Sequence, residues 1–89
     1  MNAHQKRLWQ SMIDQIQSYL SGESDDFYSL VGRLEGALDA ADLKDEKLIN
    51  EWYDFWTPLE IYRATQSYSS NQVKKDLEKM KTFLLKHLH

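Results

Sequence analysis

Apolar side chains return every three or four residues along almost the whole of this chain, and the recurrence is interrupted only by three short polar stretches. At about 100° per residue such spacing puts the apolar groups on one face of a helix, and a helix with one apolar face is stable only when that face is covered. Over residues 3–20, Leu8, Trp9, Met12, Ile13, Ile16, Tyr19 and Leu20 share a face, while Arg7, Gln10, Asp14 and Gln17 fall on the other. Asn2 followed three residues later by Gln5 has the capping-box spacing, and Gly22 supplies a left-handed residue at the helix end. A second helix is expected over 24–42, opening at Ser24 with Asp25 and Asp26 at the positive end of its dipole; its stripe is Phe27, Leu30, Val31, Leu34, Leu38 and Ala41. A third is expected over 45–66. The fourth, over 70–88, has Ser69 and Gln72 at capping-box spacing and the stripe Val73, Leu77, Met80, Leu84 and Leu88. Breaks of a few residues join antiparallel neighbours, so the expectation is all-α: one four-helix up-and-down bundle.

The chain has 89 residues, three glycines and one proline, which argues against a turn-rich β fold and leaves room for a single core. That proline, Pro58, stands inside the aromatic stretch NEWYDFWTPLEIY, residues 50–62. Leu48, Ile49, Trp52, Tyr53, Phe55, Trp56, Leu59 and Tyr62 cover nearly half of the third helix, a breadth that predicts a central position in the bundle. The apolar phase passes straight through Pro58, which predicts one helix kinked where the bond to the Asp54 carbonyl is lost. Thr57, Pro58 and Glu60 also read as N-cap, N1 and N3 of a fresh helix, so a break at Thr57-Pro58 is the alternative. Either way the aromatics are expected in the core, with Trp52, Trp56 and Tyr62 as the pocket if a small ligand occupies the wedge.

Little in the chain points to chemistry. Cysteine is absent, so disulfides and thiolate sites are excluded. The three histidines, His4, His87 and His89, lie close to the chain ends, where a catalytic triad would not be held rigidly. No glutamate begins the Glu-x-x-His pattern of di-iron bundles, and His87 and His89 point about 200° apart on a helix. Neither an EF-hand loop nor a phosphate-binding glycine motif occurs. These readings predict a non-enzymatic protein with no cofactor or metal. No apolar run approaches the ~18 residues of a membrane span and no signal-peptide core is present, so a cytoplasmic protein without membrane contact is expected.

Charge is unevenly placed. Residues 1–20 carry a net +1, residues 21–66 a net −7 and residues 67–89 a net +3, for −3 overall. On the back of the second helix, Ser29, Gly32, Gly36 and Ala40 form a strip of small residues bordered by Tyr28, Glu35, Asp39 and Asp42. Two glycines inside an exposed helix cost together about 2 kcal/mol relative to alanine. Either another helix of the bundle crosses there, or a partner's backbone approaches, with the acidic border selecting a basic protein. On the fourth helix, Lys75, Lys79 and Lys86 share a face beside Lys74 and Lys81, but Asp76 and Glu78 interrupt the run and no aromatic interleaves with it, so nucleic acid is not the expected partner. Ile61 and Leu85 fall off their stripes and leave a modest patch or a dimer seam, consistent with a monomer or a homodimer.

The run FYSLVGRLEGALDAADLKDEKL into EWYDFWTPLEIYRA resembles a diffuse set of small, mostly uncharacterised bacterial helical proteins. These share a leucine-rich helix ending in Leu-x-x-Leu-Asp, an acidic joint, and a helix with Trp-x-x-Leu-Glu-x-x-Tyr. The corresponding residues here are Leu34, Leu38 and Asp39, then Asp45 and Glu46, then Trp56, Leu59, Glu60 and Tyr62, with spacing that matches in part. Pro58 departs from that pattern. The resemblance covers about the middle half of the chain and implies an immunity- or antitoxin-like protein that occludes a basic surface. The functional expectation is therefore a protein-binding module whose acidic helix face (Tyr28, Gly32, Glu35, Gly36, Asp39, Asp42) engages a basic partner; the alternatives are a small-ligand bundle and a structural homo-oligomer joined through the fourth helix.

Overall fold

The computed structural model describes residues 1–88 and contains four helices: α1 (Ala3–Leu20), α2 (Phe27–Ala41), α3 (Glu46–Thr65) and α4 (Ser70–Leu88). His89 lies outside the described residues. Each helix packs on its neighbours in sequence, and α4 returns to α1, so the bundle is a closed ring in which α1 faces α3 and α2 faces α4 across the diagonals. The central position expected of α3 is not found. It contributes three buried residues, Trp52, Trp56 and Leu59, fewer than any other helix, because much of its aromatic surface turns sideways to cover the seams with α2 and α4.

The helix ends show why the boundaries fall where they do. Gln5 amide donates to Asn2 Oδ1 at 2.8 Å and Asn2 amide donates back to Gln5 Oε1 at 3.0 Å, the reciprocal pair expected from the sequence. The Gln5 side-chain amide also donates to the Ala41 carbonyl at 3.0 Å, which ties the start of α1 to the end of α2. Helix α2 begins later than its serine implied. Asp26, not Ser24, is the N-cap, since its carboxylate accepts both the Ser29 amide at 3.0 Å and the Ser29 hydroxyl at 2.7 Å, whereas Ser24 Oγ accepts only from the Asp26 amide at 3.5 Å. These two bonds hold the Asp26 carboxyl below its ordinary pKa. Asp42 and Gln66 close α2 and α3 in the left-handed conformation, at φ 49° and 53°.

Helix α3 runs from Glu46 to Thr65 with Pro58 inside it, so no break occurs at Thr57-Pro58. The flanking contacts explain its survival: Trp56 is 7% exposed and Leu59 fully buried on the side facing the core, while Pro58 sits on the outer half of the helix. Packing of the apolar face holds the helix where one backbone bond is missing.

The core takes Trp9, Met12, Ile13 and Ile16 from α1, the Phe27 to Ala41 stripe of α2, the three α3 residues, and Val73, Leu77, Met80, Phe83 and Leu84 from α4. Phe83 belongs to this set although it lies at the edge of the α4 stripe. Among the described residues no polar or charged residue is buried, so the buried indole N–H groups are the polar groups the core must satisfy. Trp9 Nε1 donates to the Leu84 carbonyl at 2.7 Å and Trp56 Nε1 to the Val31 carbonyl at 3.0 Å. Trp52 reaches across the diagonal, its Nε1 3.4 Å from Met12 Sδ. Trp9 and Trp52 are both fully buried, so replacing either by phenylalanine removes a similar volume. Trp9→Phe is expected to lose about 1 kcal/mol more stability than Trp52→Phe in urea unfolding followed by circular dichroism, because only Trp9 gives up a strong carbonyl bond. Equal losses would show that the Leu84 bond contributes nothing beyond packing.

Candidate functional site

Of the residues singled out on the back of α2, Tyr28, Gly32, Glu35, Asp39 and Asp42 line one seam with α3, and Gly36 does not meet it. Tyr28 is 55% exposed, and the Arg63 guanidinium lies over its ring with Cζ 5.6 Å from the centroid. Arg63 is held in place by Glu60, Nη2 to Oε2 at 2.5 Å. To reach Tyr28 it crosses Gly32, where a Cβ atom would lie 3.4 Å from Nη1. Gly32 therefore has an internal reason: it leaves room for an arginine. Gly36, one turn on, has nothing within 4 Å of the position a Cβ would take. No helix of the bundle crosses it, so the internal explanation of the glycine strip holds at one end and fails at the other.

Farther along the seam the phenol of Tyr53 donates to Glu35 Oε2 at 3.1 Å. Burial pushes the Tyr53 pKa up, and the Glu35 bond with the nearby charges of Glu35 and Asp39 adds to the rise. Beyond Tyr53 the seam opens into a notch of about 180 Å³ lined by Leu38, Leu43, Ile49, Tyr53, Asp39 and Asp42. Three aliphatic side chains form its walls and two exposed carboxylates its rim. These carboxylates stand at the negative end of the α2 dipole, where no basic residue occupies the last turn. A cation is the favoured companion of a helix C-terminus, so two aspartates there are locally unfavourable. Asp42 has a fully solvated ion pair with Lys44 at 3.0 Å, which contributes little.

The second set of candidates is not brought together. Trp52 and Trp56 stack on each other inside the core, centroids 5.8 Å apart at 21°, with Trp52 fully buried. Tyr62 turns to the other seam, where its hydroxyl donates to Asp76 Oδ2 at 2.5 Å; that bond, ahead of burial, raises its pKa. The two tryptophans are core side chains rather than pocket walls. His4 is exposed, and His87 lies against the Phe83 ring at 4.8 Å with Nε2 3.9 Å from Glu51 Oε2. Among the described residues no three His, Asp or Glu side chains are grouped as metal ligands, and no helix is long and apolar enough to cross a membrane. Sequence reasoning missed Tyr53, Leu43, Ile49 and Arg63 as parts of the α2 surface. Their own helical phase marks them as the edge of α3 or as a loop, and only the pairing of the two helices places them beside α2. No protein-family model, curated protein or solved structure matches this chain.

Two outcomes follow from this geometry. Gly36→Ala is expected to stabilise the fold by about 1 kcal/mol in urea unfolding, and Gly32→Ala by distinctly less because Arg63 must give way. A larger gain at Gly32 than at Gly36 would overturn that assignment. Tyr19, Tyr53 and Tyr62 all have pKa values raised above 10.0, Tyr19 by burial first. The native state therefore keeps protons that the unfolded chain releases, so their contribution to stability is complete below about pH 10 and is lost as pH rises through the raised values. The double variant Tyr53→Phe, Tyr62→Phe should show a shallower alkaline loss of unfolding free energy; an unchanged slope would remove these phenols as its cause.

Proposed function

We propose that this chain is a non-enzymatic protein-binding module, and that the acidic α2 face engages a basic partner protein by taking a lysine or arginine side chain into the notch beside Tyr53. One observation carries the reading: Asp39 and Asp42 rim an apolar notch at the negative end of α2, a placement that is unfavourable for the isolated fold and favourable once a cation arrives. The aliphatic stem of the incoming side chain would lie against Leu43 and Ile49 and its charged head between the carboxylates. Gly36, open above its backbone, lets the partner's main chain come close, and exposed Tyr28 offers an aromatic contact at the other end of the same face. Glu35, engaged by Tyr53, shapes the notch rather than meeting the partner first. Acidic rims of this kind raise association rates through long-range attraction, as immunity- or antitoxin-like proteins that cover basic surfaces require. The proposed setting is the bacterial cytoplasm.

Stability and binding separate under this reading. Asp39→Asn is expected to raise unfolding free energy by about 0.5 kcal/mol, since it removes a charge from the wrong end of a helix dipole. The same substitution combined with Asp42→Asn, which keeps a residue type tolerant of the left-handed conformation, should slow association with the basic partner recovered from native-cell lysate by about tenfold at low salt. Association rates measured by surface plasmon resonance at low and high salt provide the check. An unchanged rate and an unchanged salt dependence would sink the proposal.

A further inference from the structure

The bundle carries a second surface, on the other side of α3 from the acidic seam. Helix α4 lies across the diagonal from α2 and shares no close backbone contact with it, so its outer side faces away from α2. A groove of about 660 Å³ runs along α4 where it meets α3. Its floor is the stacked pair Phe55 and Phe83, one ring from each helix, with centroids 4.8 Å apart at 26°. Behind the floor, Trp9 packs on Phe83 at 6.1 Å and is itself pinned by its bond to the Leu84 carbonyl. The floor is thus rigid, and Lys75, Lys79 and Lys86 stand around it.

We propose that this groove receives an acidic amphipathic helix of a partner protein, its apolar face on the two phenyl rings and its carboxylates toward the lysines. The spacing of the cations selects this occupant. Lys75 and Lys86 are separated by eleven residues of one helix, about 16 Å at 1.5 Å per residue, so positive charge stands at both ends of the apolar floor. An amphiphile with a single anionic head needs cations at one end only. A helix of about three turns with several carboxylates along its flanks uses both ends and the middle. Nucleic acid would answer the lysines but leave the phenyl floor unused, and Glu51 and Glu78 on the same rim oppose a uniform polyanion. Glu51 lies 3.9 Å from His87, and Glu78, whose carboxylate has no ion-pair partner among the described residues, is placed to select a basic residue on the incoming helix. Lys79 is 58% exposed and only 4.0 Å from Asp76, an ion pair weak enough to exchange for a partner's carboxylate, whereas Lys81 is turned to Gln17 on α1 and takes no part.

The test is a nuclear magnetic resonance titration of the isotope-labelled full chain with a blocked synthetic peptide of about 14 residues, carrying leucine and phenylalanine at i, i+3, i+4 and i+7, one lysine to meet Glu78, and glutamate elsewhere. A scrambled peptide of the same composition, in which the apolar residues no longer share a face, is the control. Amide shifts are expected around Glu51, Phe55 and the Lys75 to His87 stretch, with the scrambled peptide binding about tenfold more weakly. Lys79→Glu combined with Lys86→Glu, both at exposed positions, should weaken binding about tenfold and flatten its salt dependence. The exposed Thr82→Arg decides between groove and charge: it fills the groove with a bulky side chain while adding a cation, so it should weaken binding about tenfold, whereas attraction by charge alone would tighten it. Equal binding of the scrambled peptide, tighter binding by Thr82→Arg, shifts centred on α2, or no binding at about millimolar peptide would each overturn the proposal. Concentration-dependent sedimentation of the chain alone, with the same amides shifted, would assign the groove to a second copy and overturn it as well.

Discussion

The need of three buried indoles for hydrogen-bond acceptors organises this bundle. Leucine, isoleucine and valine faces can slide past one another at little cost, because hydrophobic burial is nearly indifferent to direction. An indole N–H in a core with no other buried polar residue cannot. Trp9 finds Leu84, Trp56 finds Val31 and Trp52 finds the sulfur of Met12, so the three rings link α1 to α4, α3 to α2 and α3 to α1. With those links made, the order around the ring and the vertical register of the helices follow together, and so do the two seams along which exposed charge is gathered.

Much of this was legible from the sequence, for a local reason. Apolar period, short polar breaks and the Asn2 and Ser69 caps act within one helix, and their spacing is visible in the chain. Ser24 has the look of a cap with two dipole partners behind it, but one of those aspartates, Asp26, offers two acceptor oxygens to Ser29 and displaces the hydroxyl as cap. Tertiary matters were less accessible. Gly32 and Gly36 look equivalent on a helical wheel, yet an arginine from another helix crosses one and nothing meets the other. Phe55 and Phe83 each lie at the edge of a stripe, where neither helix alone reveals that they stack. The breadth of the α3 aromatic surface predicts centrality when that helix is considered alone, but in a four-membered ring a broad face reflects two seams being covered at once.

Local rules are broken on the α2 surface and at Pro58 inside α3, and kept at several other helix ends. Asp26 and Asp45 sit at helix N-termini, where carboxylates are favoured, and Lys86 and His87 occupy the last turn of α4, where cations are favoured. Asp39 and Asp42 violate the same rule at the end of α2, and Gly36 lowers helix propensity with no neighbour that requires it. Three departures from local consistency thus collect on one surface, whereas the fourth, Pro58, lies inside α3, where the packing of the apolar face holds the helix.

The diagonal placement of α2 and α4 makes ionic strength a determinant of what the molecule presents. The bundle measures 36 × 24 × 20 Å, and the outer faces of α2 and α4 lie on opposite sides of it, across the diagonal. At physiological salt the screening length is about 8 Å, and each side is electrostatically blind to the other. In dilute buffer, near 0.01 M, that length grows to about 30 Å and exceeds the width of the protein. There the two sides act together, as a dipole carried on a net charge of −3, and a charged surface turns the molecule as it attracts or repels it.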